Sequence, residues 1–268
     1  MLMQENLLSS SGIEVEELIS HEFSVSRVWI KSKQAAEKLD KPCGLYITIN
    51  TGPLDETVDF ENACACLVEQ LQPILAPFYG KPLCICGIGS KEFEFDALGP
   101  ETVDRVRPKM YEVFTRRSNF EKIATICPGV NGKTNLLSES IIYSVAATMN
   151  AACILTIDSC HCDDLERLCS VIQLTNTGMK GYLGTVNLCR STLGVPVISI
   201  AVPTAIRANS ISRTNDCSTN LFLTPTYVSE AINTAAFIIS CAIAQIAYPD
   251  LNYESCKQCI GLFLTGIA

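Results

Sequence analysis

Residues 82–106, PLCICGIGSKEFEFDALGPETVDRV, decide the reading of this chain. A short apolar run breaks at Gly87 and Gly89, and a polar loop then delivers an acid, Asp96, ahead of a helix start at Pro100. An apolar run of strand length that ends in Gly-Ile-Gly reads as a buried strand opening into a loop at its C-terminal end. In open α/β sheets ligands bind outside the carboxyl ends of the strands. Asp96 is therefore read as one half of a two-carboxylate site.

The other half comes from AACILTID, residues 151–158, a second buried run that ends in Asp158. A parallel sheet brings both acids to its C-terminal edge. Close like charges cannot both ionise cheaply, so such a pair shares a proton, activates a water and protonates a leaving amine. A local reading stands beside this one: Asp158 caps the helix after it and Asp96 sits in a turn, two places that favour aspartate.

Outward from these two runs, strands and helices alternate. Residues 13–31 and 44–51 read as strands joined by a short helix around QAAEKLD. From Asp59 onward Ala63, Leu67, Leu71 and Leu75 recur at intervals of four, which marks an amphipathic helix ending near Pro77. Pro100 suits a first helical turn, and Pro108 kinks or breaks the helix that follows. KIATICPG (122–129) reads as a strand, LLSESIIYSVAATMN as a helix, DDLERLCSV as a short helix, and GVPVISIAVPTAI (194–206) as one more buried strand. Continuous apolar strands alternating with helices specify an α/β fold, a three-layer sandwich with a mostly parallel sheet covered on both faces. Residues 1–268 read as a single α/β domain to which 1–56 contribute N-terminal strands. AINTAAFIISCAIAQIAY (231–248) approaches bilayer-spanning length, but Asn233, Thr234, Ser240 and Gln245 interrupt it, so a buried helix and no membrane partner are expected.

The formal charge of −8 and pI near 4.9 argue against a nucleic-acid partner, because phosphate neutralisation needs clustered Lys and Arg. The fifteen cysteines are odd in number and lie largely in apolar runs, and MLMQENLLSSS carries no basic or apolar signal region. Reduced, buried thiols in a cytosolic protein are expected. Of the close cysteine pairs only Cys256/Cys259 has Cys-x-x-Cys spacing, and the histidines are His21 and His161 alone, so no metal or other cofactor is called for. PGVNGKTN (128–135) carries Gly-Lys-Thr between a strand and a helix, yet a phosphate loop needs glycine where Cys127 stands. Gly87-Ile-Gly89 lacks the third glycine of a dinucleotide fingerprint, since Glu92 occupies that place. Cys160 and Cys162 beside His161 are sequence neighbours that do not face one another on a helix.

Several collinear segments together resemble the germination protease family, the spore endopeptidases that degrade small acid-soluble spore proteins. LDKPCGLYITIN is similar to that family's K-P-x-G-x-Y-x-T segment, GIGSKEFEFDALGP to its G-x-G and D-A-L-G-P, and PGVNGKT to its P-G-V-x-x-x-T loop. ILTIDSCHCDDLERL, IQLTNTG, TLGVPVISIAVPT and LFLTPTYVSEAI continue the series. The resemblance implies an α/β core related to hydrogenase-maturation endopeptidases, a smaller strand-rich part, often a homotetramer, and a cytoplasmic or spore-core setting. It implies a metal-independent protease with two essential aspartates at the positions of Asp96 and Asp158, and a protein or peptide substrate. It further points to Gly87, Gly89, Thr134, Asn176, Thr177 and Gly178 as substrate-binding positions. The chain departs from the family at NTGMKGYLGTVN (176–187), where Asn176 replaces an acid, and at Ser90, which replaces Asn. A catalytically silent, peptide-binding paralogue is the competing expectation, with nucleotide binding behind it.

Overall fold

The computed structural model of the chain describes residues 12–130, 135–181, 186–211 and 221–265. The stretch 13–31 is two strands, β1 (Ile13–Ser20) and β2 (Phe23–Ile30), folded back at His21 and Glu22. Both turn residues have positive φ, 48° and 75°, the geometry whose twist matches the flanking strands. Neither residue is the Gly or Asn that announces such a turn, so the pattern alone hides the hairpin. Helix α1 (Lys33–Leu39) starts where the Ser32 hydroxyl accepts from the Ala35 N–H, and β3 (Gly44–Asn50) follows. Helix α2 (Phe60–Leu75) begins at Asp59, whose carboxylate accepts from the Asn62 N–H at 3.0 Å, and it buries the predicted Ala63, Leu67, Leu71 and Leu75 stripe.

Strand β4 (Leu83–Gly87) is buried along its whole length. A 3-10 turn, Glu94–Asp96, leads into α3 (Leu98–Arg105), and Pro108 opens a separate helix α4 (Pro108–Phe114). A proline has no N–H for the preceding turn, which is why the helix is split there. β5 (Ile123–Ile126), α5 (Ser138–Thr148) and β6 (Cys153–Cys162) come next. The helix expected at DDLERLCSV is a single 3-10 turn, Leu165–Arg167. Cys169 ends it with a φ of 50° and an N–H donated to the Pro203 carbonyl at 2.7 Å. The chain is thereby turned at once into β7 (Val171–Thr175). The remainder comprises a small ladder of β8 (Met179–Lys180) with β9 (Asn187–Leu188), α6 (Arg190–Leu193), β10 (Val197–Arg207), α7 (Ala208–Ile211), β11 (Phe222–Leu223), α8 (Val228–Ala247) and α9 (Tyr253–Thr265).

The main sheet has the order β1-β2-β3-β7-β10-β6-β4-β5, with β11 added to β10. β10, β6, β4 and β5 are mutually parallel, the α/β half; β1, β2, β3, β7 and β10 pair antiparallel, the strand-rich part. Side chains alternate between faces along each strand. Leu83, Ile85, Leu155, Ile157, Ile200 and Val202 enter one core with α2, α3, α8 and α9, while Cys84, Cys86, Ile154 and Val197 enter a second core under α5 and α6. Three layers therefore enclose the parallel half. Helix α8 is the predicted apolar helix, and 78% of its most apolar window is buried inside the fold. Cys256 and Cys259 on α9 are buried in the first core, where burial pushes the Cys256 thiol up to about 12. Among the described residues no group of three or more His, Cys, Asp or Glu is placed to hold a metal ion.

Candidate active site

β4 and β6 run side by side in parallel with Gly87 opposite Ile157, so Asp158 lies one residue beyond the point where β4 ends. The chain leaving β4 is held there by the Ile88 N–H, which donates to the Ile157 carbonyl at 2.8 Å. It loops over the sheet edge and returns at Asp96, whose carbonyl accepts from the Ser90 N–H at 3.0 Å. The Thr204 hydroxyl of β10 donates to the Phe95 carbonyl at 2.7 Å and fixes the loop from the other side.

The glycines of the opening stretch make this crossing. A Cβ on Gly87 would overlap the Gly99 carbonyl, and one on Gly89, where φ is +111°, would overlap the carbonyl of Asp96. Gly99 is hemmed in by backbone alone, since a Cβ there would meet the N and O of Ile88 and the O of Ile157 together. Gly87 thus lets α3 pass close at Gly99, and Gly89 lets the loop close back on Asp96. Gly99, in the DALGP segment, allows the same close approach and carried no separate signal in the sequence.

The two carboxylates sense each other. Burial raises Asp96 to about 6, opposed by the Ser90 backbone N–H. Asp158 is pushed well above the usual carboxylate range, first by burial and then by the charge of Asp96, with the Ser159 N–H opposing. Asp158 retains some accessible surface, but it sits on the floor of the edge with protein packed closely around it. A group so placed loses most of its hydration without being sealed from a ligand.

Asp158 also belongs to a continuous face of the sheet. Register places Thr156 and Asp158 of β6 beside Ser199 and Ala201 of β10, with Cys160 beside Pro203, and Ser199 and Ala201 in turn oppose Thr175 and Gln173 of β7. Those oppose Tyr46 and Thr48 of β3, and the series ends on Val28 of β2 and Val15 of β1. The part of this face from β10 to β1, with Cys160 of β6 but not Asp158, lines a concavity of 920 Å³ that also takes in Glu17, Lys41, Arg167 and Lys180. Beside Asp158 its floor is stiffened by the buried hydroxyl pair Thr156 and Ser199, 2.7 Å apart.

Other expected site residues lie elsewhere. The Asn176 side-chain oxygen accepts from the Leu45 N–H at 2.9 Å, and the Thr177 hydroxyl donates to Tyr46 Oη at 3.2 Å. Gly178, with φ of 83°, lets the chain pass the Leu188 carbonyl into the small ladder. These three stand at the far end of β7 from Gln173, the residue aligned with Asp158, and the structure does not bring them to the carboxylates. They tie β7 to β3 and back the Tyr46 wall of the concavity. Thr134 and the Gly-Lys-Thr of the phosphate-loop reading lie outside the described residues.

The germination protease family model matches residues 2–248. The chain belongs to this family. Germination protease relatives include those of Caldanaerobacter subterraneus subsp. tengcongensis, 29% identical over 75% of this chain and 65% of that protein, and Clostridium tetani, 29% identical over 78% and 68%. The Priestia megaterium germination protease is also 29% identical, over 75% of this chain and 58% of its own length. The chain thus spans from 58% to 68% of the length of these germination proteases. Among solved structures, a [NiFe] hydrogenase maturation protease from Thermococcus kodakarensis KOD1 aligns over 66% of this chain and 97% of its own, with a TM-score of 0.39 and 16% identity.

Proposed function

We propose that this chain is an endopeptidase that hydrolyses peptide bonds of small spore-type proteins with a water activated by Asp96 and Asp158. The observation that supports it is the coupling of the two carboxylates where β4 ends beside β6, with both raised above the ordinary range. Asp96, raised to about 6, is the carboxyl that ionises first, and Asp158, pushed well above the usual carboxylate range by burial and then by the charge of Asp96, is the one that holds the proton. Asp96 then takes a proton from water as the water oxygen bonds to the scissile carbonyl carbon. Asp158 gives its proton to the amide nitrogen as the C–N bond breaks, and proton transfer between the carboxyls restores the pair.

Two consequences are measured together by incubating the purified chain with a small acid-soluble spore protein across pH. Limited cleavage is expected, with kcat/KM rising as pH increases through about 6, where Asp96 ionises, and falling again once Asp158 loses its proton. A second reading, a peptide-binding paralogue without catalysis, is favoured by Asn176, which stands in place of the family's acid and is committed to the Leu45 N–H. Binding of the same protein without any cleavage product would select that reading.

A further inference from the structure

The loop that carries Asp96, residues 88–97, holds three acids, Glu92, Glu94 and Asp96, and one cation, Lys91. Its ends are pinned by the bonds from the Ile88 N–H and to the Phe95 carbonyl, and the Ser229 hydroxyl of α8 donates to the Glu94 carboxylate at 2.8 Å. Between them the backbone bonds to itself: the Ser90 N–H donates to the Asp96 carbonyl, and the Phe93 N–H to the Ser90 carbonyl at 3.2 Å. Bonds of that kind give the loop a shape without holding it down on the rest of the protein.

Lys91 supplies a tie for this middle part. Its ammonium lies 2.7 Å from Glu101 and 2.6 Å from Asp104, two carboxylates of α3. Residues three apart on a helix share a face, so α3 presents both to one cation. Glu101 meets Arg105 at 2.6 Å on its other oxygen, and the Arg105 guanidinium, on a side chain only 7% exposed, donates to Asn233 Oδ1 of α8 at 2.9 Å. Loop, α3 and α8 are thereby joined in one series of charged hydrogen bonds. Loss of Lys91 leaves the inner part of that series intact, because Glu101 keeps Arg105 and the half-exposed Asp104 is met by water. Burial and the Ser90 N–H set the Asp96 value, while the Lys91 charge is answered by its own two carboxylates.

We infer that Lys91 is a positioning residue for the hydrolysis, which clamps the loop to Glu101 and Asp104 and so keeps Asp96 in range of Asp158. The kinetic consequence rests on the endopeptidase reading; the effect on Asp96 itself does not. Position and charge predict opposite signs. Acting by charge, Lys91 would on removal take a cation from the neighbourhood of Asp96 and raise that carboxyl. Acting by position, its removal lets the loop lift, rehydrates Asp96 and lowers the carboxyl from about 6 toward the ordinary value of about 4.

The test is the Asp96 titration in the full chain, read by aspartate-selective 13C NMR for the wild-type protein, Lys91→Met and Lys91→Arg. A thermal melt confirms folding, and cleavage of a small acid-soluble spore protein supplies the kinetics. Lys91→Met is expected to melt within a few degrees of the wild-type chain, since the lost ion pairs are partly exposed. Its Asp96 is expected to titrate at about 5 or below, and the acid limb of kcat/KM to move down with it. A fall in kcat of about 10- to 100-fold with little change in KM is expected, the cost of a reacting group misplaced by about 1 Å. Lys91→Arg, able to bridge the same two carboxylates, is expected to keep Asp96 near 6 and most of the rate. Should Lys91→Met fail to fold, Asp104→Asn, which leaves the Glu101–Arg105 pair in place, is expected to move Asp96 in the same downward direction. An Asp96 that stays near 6 or rises in the folded variant overturns the inference, as does an Arg variant that behaves like the Met one. Because the titration needs no substrate, a downward shift in a chain that cleaves nothing retains the clamp and removes the endopeptidase reading; cleavage with an unmoved Asp96 does the reverse.

Discussion

Asp96→Asn and Asp158→Asn are each expected to lower kcat/KM on a small spore-type protein by about 100- to 10,000-fold, the range that general acid–base groups supply. An amide can neither take the water's proton nor return one to the leaving nitrogen, so either replacement breaks the cycle. Because the two groups act as a unit, the double variant is expected to be little worse than the poorer single one. Stability should move the other way. Both carboxyls have folded values above the unfolded value of about 4, so the native state holds more protons than the unfolded chain as pH rises from there through the raised values. Folding stability falls across that window, beginning between about 4 and 6 for Asp96. Neutral amides escape this loss. At pH 7.5 the Asn variants should therefore melt at the same temperature as the wild-type chain or a few degrees above it, an advantage that disappears near pH 4. Inactive protein that melts lower at pH 7.5 would point to structural damage and against the acid–base assignment.

Gly99→Ala is expected to be strongly destabilising. The added carbon would meet Ile88 N, Ile88 O and Ile157 O, and the bond between Ile88 N and Ile157 O is the one that clamps the loop over Asp158. No flexible side chain is available to yield, since all three atoms are backbone. A loss of about 3 kcal/mol or more is expected, in the upper range for overpacking, together with loss of activity as Asp96 is displaced. Urea unfolding checks this against Gly261→Ala, a glycine on α9 whose added Cβ would meet nothing within 4 Å. Equal midpoints for the two variants would remove Gly99 from the account.

The parts legible in the sequence were those written in short-range patterns. The run before Gly87, the 60–75 stripe and the apolar run from 153 each announce an element through burial period or punctuation, and each is where it was expected, but the strand read as closing at Asp158 continues to Cys162, so Asp158 lies within a strand and caps no helix. β7 was not legible. VIQLT is an ordinary short apolar run, and only the nonlocal fit between β3 and β10 makes it the bridge joining the two halves of the sheet. The concavity was hidden for the same reason: Lys41 precedes β3, Arg167 follows β6, and the sheet order brings them to one hollow. Asn176, Thr177 and Gly178 were marked by their family segment, which does not distinguish a residue that meets substrate from one that ties β7 to β3.

The most direct measurement of the central claim is a carboxyl titration of the full chain by aspartate-selective 13C NMR, assigned with the two Asn variants. One resonance, absent from Asp96→Asn, is expected to titrate near 6, while the one absent from Asp158→Asn titrates well above the ordinary carboxylate range and moves down when Asp96 is neutralised. If both carboxyls titrate independently near 4, the shared-proton pair does not exist and the mechanism built on it is wrong.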